Sequence, residues 1–475
     1  MTETEAKTSA SAGATAASDF DVLPYPSLPQ SYTQPSHLAA LAQLHGLRAP
    51  PAETARVLEL GCASGGNIIP LAARFPKAHF TGFDLSARQI ADGQRRIAAL
   101  SLSNIDLEVG DVTHLPLKSA PFDYIICHGL FSWVPVAAQE AIFQICREHL
   151  ASSGVAAISY NVLPGWHLRR VIRDICLQAA GVSGSPRERA TRARRAIEEL
   201  AGSTSKILPY GYFLRQEVQR LSRQPLAYIF GEFLAEHNTP VTLAEFVARA
   251  SGYDLKFLCE GDLDASARRG IDDAARFAKL VPVRDDRFAT GLGSALDYAS
   301  GRPFRRSLIV HSDAATSAYL PPHVARLRGL HVTGKGGKSH LATVDKAFPS
   351  SVSMDSLIAG LEEGDALRVC EVVLTMVAVE ENASLSTLPI RAGRADSTRP
   401  SVSALNRLEA ASGQPWISSL HHGGVPVTKQ QAALIKHLDG TLGHYELAQI
   451  IDDAPQIDAT LTFLERNGVL QPDPR

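Results

Sequence analysis

The residues best placed to do chemistry lie in the run Arg56 to Asn67 (RVLELGCASGGN), where an apolar strand ends in Glu59-Leu60-Gly61 and Gly65-Gly66 opens a helix. Glycine lets backbone approach a ligand closely where side chains would block it. A dinucleotide fingerprint would read Gly-x-Gly-x-x-Gly, but Ala63 occupies the second glycine position. A pyrophosphate presses hard on that position, and Glu59 would repel its charge. The cationic, zwitterionic S-adenosylmethionine, with its slimmer methionine tail, suits both residues.

Further acids follow at consecutive strand ends. Asp84, beside Leu85, ends the second strand and can accept both ribose hydroxyls. Asp111 follows the third strand as a candidate for the adenine amino group, with Val112 against the ring. One such acid alone would be a surface carboxylate. Three in register change that reading, because open parallel sheets bind ligands outside the carboxyl ends of their strands. The fourth strand ends in His128-Gly129 and runs on through Trp133 to Pro135. His128 can hydrogen-bond the methionine portion or remove a proton, while a histidine capping the loop is an equal alternative. Trp133, Tyr160, Asn161 and Trp166 could line an aromatic channel for a cationic or apolar acceptor. Packing alone would also explain each aromatic. His128 and Tyr160 are the two catalytic candidates, and a dedicated general base can be absent altogether.

These positions require strands near 56–60, 79–83, 105–109, 122–127 and 155–160. Helices are expected near 65–75, 87–100 and 136–150. Short apolar strands alternating with amphipathic helices predict a parallel sheet covered on both faces. Ahead of it, a Pro-rich strap from Tyr25 to Pro35 leads into a helix with Leu38, Leu41, Leu44 and Leu47 on one side. After Trp166 the pattern becomes mainly helical. The basic stretch Arg187 to Arg195, interrupted by Glu188, reads as a solvated helix face. The loop Thr333 to Ser339 (TGKGGKS) lacks P-loop spacing and reads as a turn. Ser384 to Ser403 has the composition of a linker, and the helices beyond it suggest a small winged-helix-like module with few basic residues.

The chain, 475 residues long, exceeds the roughly 250 to 300 at which single cores stop growing. The expected division is a tail over 1–20, a cofactor domain over 21–166, a helical regulatory or substrate domain over 167–300, an α+β extension and linker over 301–400, and the terminal module over 401–475. With 45% hydrophobic and 20% charged residues and a net charge of −2, the composition argues against a nucleic-acid footprint. Cys62, Cys127, Cys146, Cys176, Cys259 and Cys370 are too scattered for a zinc site, so no metal is expected. No stretch reaches the length of about 20 apolar residues that spans a bilayer, nor does the N-terminus read as a secretory signal. The expected location is cytoplasmic, without membrane insertion.

Taken together the motifs resemble the class I S-adenosylmethionine-dependent methyltransferases, and further the bacterial methyltransferases that carry a methyltransferase regulatory domain. The resemblance rests on Tyr25 to Leu38, the cofactor strand, His128 to Pro135, Ser159 to Trp166, Tyr228 to Leu263, and Ala404 to Thr441 with His421-His422. It covers most of the chain after the tail. Tyr32 and Gln34 stand where the family strap has Gln and His. The family includes rickettsial lysine methyltransferases. The resemblance therefore implies a Rossmann-like doubly wound sheet, S-adenosylmethionine as cofactor and methyl transfer, with a protein lysine nitrogen as the leading acceptor. A small-molecule acceptor is the alternative enzyme reading, and a cofactor-sensing regulator the non-enzymatic one. A homodimer is compatible with the sequence.

Overall fold

The computed structural model describes residues 19–117, 120–263, 288–316, 324–334, 340–378, 380–451 and 454–473. The tail up to Ser18 and the stretch Lys335 to Ser339 of the glycine-lysine loop lie outside the described residues. By internal contacts the chain forms two units: Ser27–Asp174 with Ala235–Arg475, and Met1–Pro26 with Ile175–Leu234.

The first unit is built on a seven-stranded sheet of β1 Arg56–Leu60, β2 His79–Asp84, β3 Ile105–Val109, β4 Phe122–Cys127, β5 Leu150–Asn161, β6 Leu255–Glu260 and β7 Phe304–His311. Their order is β3-β2-β1-β4-β5-β7-β6. The first five strands are mutually parallel, and β7 runs antiparallel between β5 and β6. Side chains alternate across a strand, which divides them between two cores. Val57, Tyr124, Ile126, Val155 and Ala157 join one; Leu58, Leu60, Ile125, Cys127, Ala156 and Ile158 join the other. Sheet and flanking helices form the Rossmann-like α/β fold that the sequence implies.

Two boundaries differ from expectation. The sheet is not complete at residue 166: β6 comes from a segment assigned to the helical domain, and β7 from the extension, where Ser307 to His311 reads as a short strand but without a partner. Their pairing is long-range, and local periodicity carries no trace of it. Part of the supposed linker is likewise ordered: β10 Ala383–Ser386 pairs with β8 His331–Gly334, which pairs in turn with β9 Val352–Ser353. Thr387 N–H also donates to Ser36 O at 2.9 Å. Arg, Pro and Ser content suggested exposure, but the backbone there is used.

Residues 404–466 place a short hairpin, β11 Trp416–Ser418 and β12 Gly424–Pro426, between the helix Ala404–Ala411 and three helices at Lys429–Ile435, His444–Ile451 and Ala454–Arg466. Leu434, Leu438, Leu447, Leu461 and Leu464 lie in a separate core. A winged helix carries its wing after the helices, and among the described residues no strand pair follows them. The winged-helix expectation is therefore not supported.

In the second unit, helices Pro186–Ser203, Pro209–Leu221 and Leu226–Phe233 bury Ile197, Leu214, Ile229 and Phe233. Ser185 and Glu188 form a capping box that starts the first of these. Its arginines are not simply solvated. Arg192 Nε donates to Ala180 O at 3.1 Å, Arg194 Nη2 donates to Gln224 O at 2.5 Å, and Arg189 lies over the Phe230 ring.

No described helix is long and apolar enough to cross a membrane. All six cysteines are buried free thiols.

Candidate cofactor and acceptor site

At the carboxyl end of β1 the chain turns through Gly61 at φ +73°, Ala63 at +50° and Gly65 at +71°. Alanine pays a conformational cost in that left-handed region. Hydrogen bonds hold the turn in place. Gly61 and Cys62 N–H both donate to Phe83 O, at 2.8 and 3.0 Å, and Ala63 N–H donates to Asp84 Oδ2 at 2.8 Å. The other Asp84 oxygen accepts from Ser86 N–H at 2.9 Å, and its backbone carbonyl accepts from Gly110 N–H. Asp84 thus ties together the loops after β1, β2 and β3.

Glu59 lies beneath this turn, 3% exposed. Its Oε1 accepts from Asn67 Nδ2 at 2.8 Å, while its buried Oε2 has no hydrogen-bond partner among the described residues. Burial first, then the nearby Asp84 charge, push the carboxyl up to about 8, against the opposing Asn67 bond. A buried acid oxygen lacking a donor, under a glycine turn, fits the ammonium of a methionine tail. A pyrophosphate would find no counter-charge there.

A strap crosses these loops. Gly66 N–H donates to Ser27 Oγ at 2.9 Å, and a Cβ on Gly66 would stand 2.1 Å from Ser27 O, so only glycine admits the strap. Further along, Gln30 N–H donates to Asn67 Oδ1 at 2.9 Å, and Tyr32 Oη meets His128 Nδ1 at 2.8 Å. Arg306 lies 5.3 Å from the Tyr32 ring centroid, in cation–π contact. Burial, then the Arg306 charge, push His128 down to about 3. The imidazole is therefore neutral at physiological pH and too weak a base to hold a proton there. Gly129 N–H donates to Ser159 Oγ at 2.8 Å, fixing the loop after β4.

Among the sequence candidates, the structure links Glu59, Gly61, Ala63, Gly65 and Asp84 around one turn, and joins His128 and Gly129 to the strap and β5. Leu85 is 69% exposed beside Asp84. Asp111 caps its own short turn at Val112–His114, and bonds from the Thr113 backbone and hydroxyl hold its carboxyl below the usual range. Trp133 meets Trp166 edge to face at 5.9 Å. Tyr160 and Asn161 are each 1% exposed. The Tyr160 ring stacks on Phe246 at 4.1 Å and its hydroxyl pairs with Ser307 Oγ, while Asn161 N–H donates to Ser132 Oγ. Tyr160 is thus a core residue, which removes it as a proton acceptor. Its neighbour Ser159 points to the opposite face and reaches the site, as strand alternation requires. The sequence reading also missed Tyr32 and Asn67, although both lie in stretches it had marked.

Sheet order, glycine turn and acidic strand ends together define a class I S-adenosylmethionine-dependent methyltransferase. Residues 57–154 match the family model of a methyltransferase domain, and residues 225–311 match that of a predicted methyltransferase regulatory domain. The chain is 32% identical over 240 residues to RP028 of Rickettsia prowazekii (strain Madrid E), covering 50% of this chain and 96% of that protein. It is 36% identical over 295 residues to RP789 of the same organism, covering 62% of this chain and 53% of that one, so the match spans about half of RP789. The solved structure of PKMT2 from Rickettsia typhi in complex with AdoHcy superposes with a TM-score of 0.79 at 21% identity, over 94% of this chain and 100% of that one. That likeness is one of fold. The chain belongs to the methyltransferase family whose members carry a methyltransferase regulatory domain.

Proposed function

We propose that this protein transfers a methyl group from S-adenosylmethionine to a lysine nitrogen of a protein substrate. The observation that carries the acceptor is the correspondence of fold with PKMT2 along nearly the whole chain, including the regions outside the methyltransferase sheet. Glu59 Oε2 would receive the cofactor's ammonium, the Gly61–Gly65 turn would pass its methionine tail, Asp84 would accept the ribose hydroxyls, and Asp111 with Val112 would hold the adenine. When bound, the cofactor supplies an electrophilic methyl group on a sulfonium.

The chain's own part is orientation and desolvation. A free lysine has a pKa of about 10.4 and must lose a proton before it can attack, which burial of its ammonium promotes. His128 is neutral and hydrogen-bonded to Tyr32, so it orients groups at the site, and bulk water takes the proton. Trp133 would flank the lysine stem, backed edge to face by the buried Trp166. In-line positioning then supplies most of the acceleration.

Incubation with methyl-labelled cofactor and bacterial lysate, followed by hydrolysis of the labelled protein, tests the reading. Label recovered as methyl-lysine is expected. Label confined to small molecules would favour a metabolite acceptor and overturn it, and cofactor binding without turnover on any acceptor would indicate a sensor.

A further inference from the structure

The hairpin between β11 and β12 brings His422 to the cofactor turn from the far end of the sequence. His422 is 2% exposed, and its Nε2 lies 3.0 Å from Asn67 Oδ1. The orientation of the Asn67 amide follows from its neighbours. Gln30 N–H can only donate, so Oδ1 faces it, and Nδ2 faces Glu59 Oε1. A carbonyl oxygen has two lone pairs. Thr33 Oγ1 also lies 3.1 Å from Oδ1, but its proton has a closer acceptor in Gln30 O at 2.8 Å. His422 Nε2 therefore carries hydrogen and fills the second lone pair. Burial, reinforced by the Arg74 charge, holds the ring neutral, in keeping with one protonated nitrogen.

The same terminal segment grips the site twice more. Arg74, on the helix Ile68–Arg74 that follows the turn, donates from Nη1 to Leu420 O at 2.5 Å and to Gln34 Oε1 of the strap at 2.7 Å. Arg96 lies 3.5 Å from Glu409, and its Nη1 reaches Ser64 O within the turn at 3.4 Å. Glu409 is itself tied to β11 through Ser418 N–H and Ser418 Oγ, both at 2.7 Å.

We propose that His422 is a positioning residue for cofactor binding: by holding the Asn67 amide it aims the Glu59 carboxylate, so the C-terminal module sets cofactor affinity without touching the cofactor. This rests on the assignment of the turn as the S-adenosylmethionine site. A single hydrogen bond governs two elements, because Asn67 is shared by strap and strand end. Without the His422 donor the amide keeps its bonds to Gln30 and Glu59 but loses the third, which loosens its hold on the Glu59 carboxyl.

Calorimetric titration of the full chain with S-adenosylhomocysteine tests it. His422→Ala is expected to weaken binding about tenfold, the factor that corresponds to about 1.4 kcal/mol. His422→Gln, whose amide nitrogen falls near the position of Nε2, is expected to recover most of the loss. Both variants place a side chain other than histidine at the same left-handed φ of +56°, so their difference reports the hydrogen bond and not the backbone. In an Asn67→Ala background, His422→Ala is expected to have no further effect. In steady-state assays His422→Ala should raise the cofactor KM and leave kcat near wild type. Unchanged affinity in His422→Ala, failure of His422→Gln to rescue, or additivity with Asn67→Ala would overturn the proposal. Absence of binding by the wild-type chain would instead refute the cofactor site itself.

Discussion

Glu59 has a folded-state pKa near 8, above the value of about 4.3 expected when unfolded. Across that interval the native state keeps a proton that the unfolded state has lost, so this group's contribution to stability falls as pH rises from about 4.3 through about 8. Glu59→Gln should flatten that fall in denaturant titrations at several pH values. An ammonium ligand reverses the preference and favours the carboxylate, so S-adenosylhomocysteine affinity should rise between about pH 6 and 8 with release of a proton. Calorimetry in buffers of different ionisation enthalpy reads that release, and Glu59→Gln should abolish it. Asp84→Ala should cost on the order of 2 kcal/mol of cofactor affinity, since it removes both the proposed ribose acceptor and the anchor of Ala63 N–H. Unchanged affinity would refute that role. The gathering of Glu59, Asp84 and the glycines around one turn was legible in the sequence because residue type and strand-end position agreed. His422 was not, since its bond to Asn67 spans 355 residues. Tyr160 was misjudged because its aromatic character was weighed before the alternation of its strand.

Among the elements, the strap and the last two strands make the strongest demands. Gly66→Ala would drive a methyl into the Ser27 carbonyl, so the strap must shift. A folded variant with at least tenfold weaker cofactor binding is expected, and unaltered binding would show that the strap is not part of the site. Tyr32→Phe deletes the bond to His128 and keeps the ring beneath Arg306. It should lower kcat severalfold at little change in melting temperature, and an unaltered kcat would remove Tyr32 from the mechanism. On β7, Arg305 is 1% exposed in its side chain and pairs with Glu260 Oε1 at 2.6 Å and with both Asp297 oxygens at 2.8 Å. Arg305→Met leaves Glu260 buried without its cation and Asp297 with only the more distant Arg302, a loss of about 3 to 5 kcal/mol in urea unfolding. The cluster could not be anticipated from composition, because Glu260, Asp297 and Arg305 meet only once β6 and β7 have paired.

At the scale of the molecule, the first five strands and their connecting helices were readable from hydrophobic period alone. Strand order beyond β5 was not, since an edge strand does not record in its own residues what will pair with it. The coupling of the C-terminal hairpin to the cofactor turn also belongs to this scale. If that coupling operates, saturating S-adenosylhomocysteine should slow amide hydrogen exchange over residues 418–424 as well as over 61–67, as read by mass spectrometry. Protection confined to 61–67 would show the hairpin to be energetically independent.

The interval between β5 and β7 also bears on synthesis. β5 ends at Asn161, and its antiparallel partner begins at Phe304. A ribosome adding about 5 to 20 residues per second leaves the outer edge of β5 unpaired for on the order of ten seconds. Exposed edges are templates for pairing with other chains. The nascent protein is therefore most open to aggregation and to chaperone capture during that interval, and its sheet closes only after most of the chain has left the ribosome.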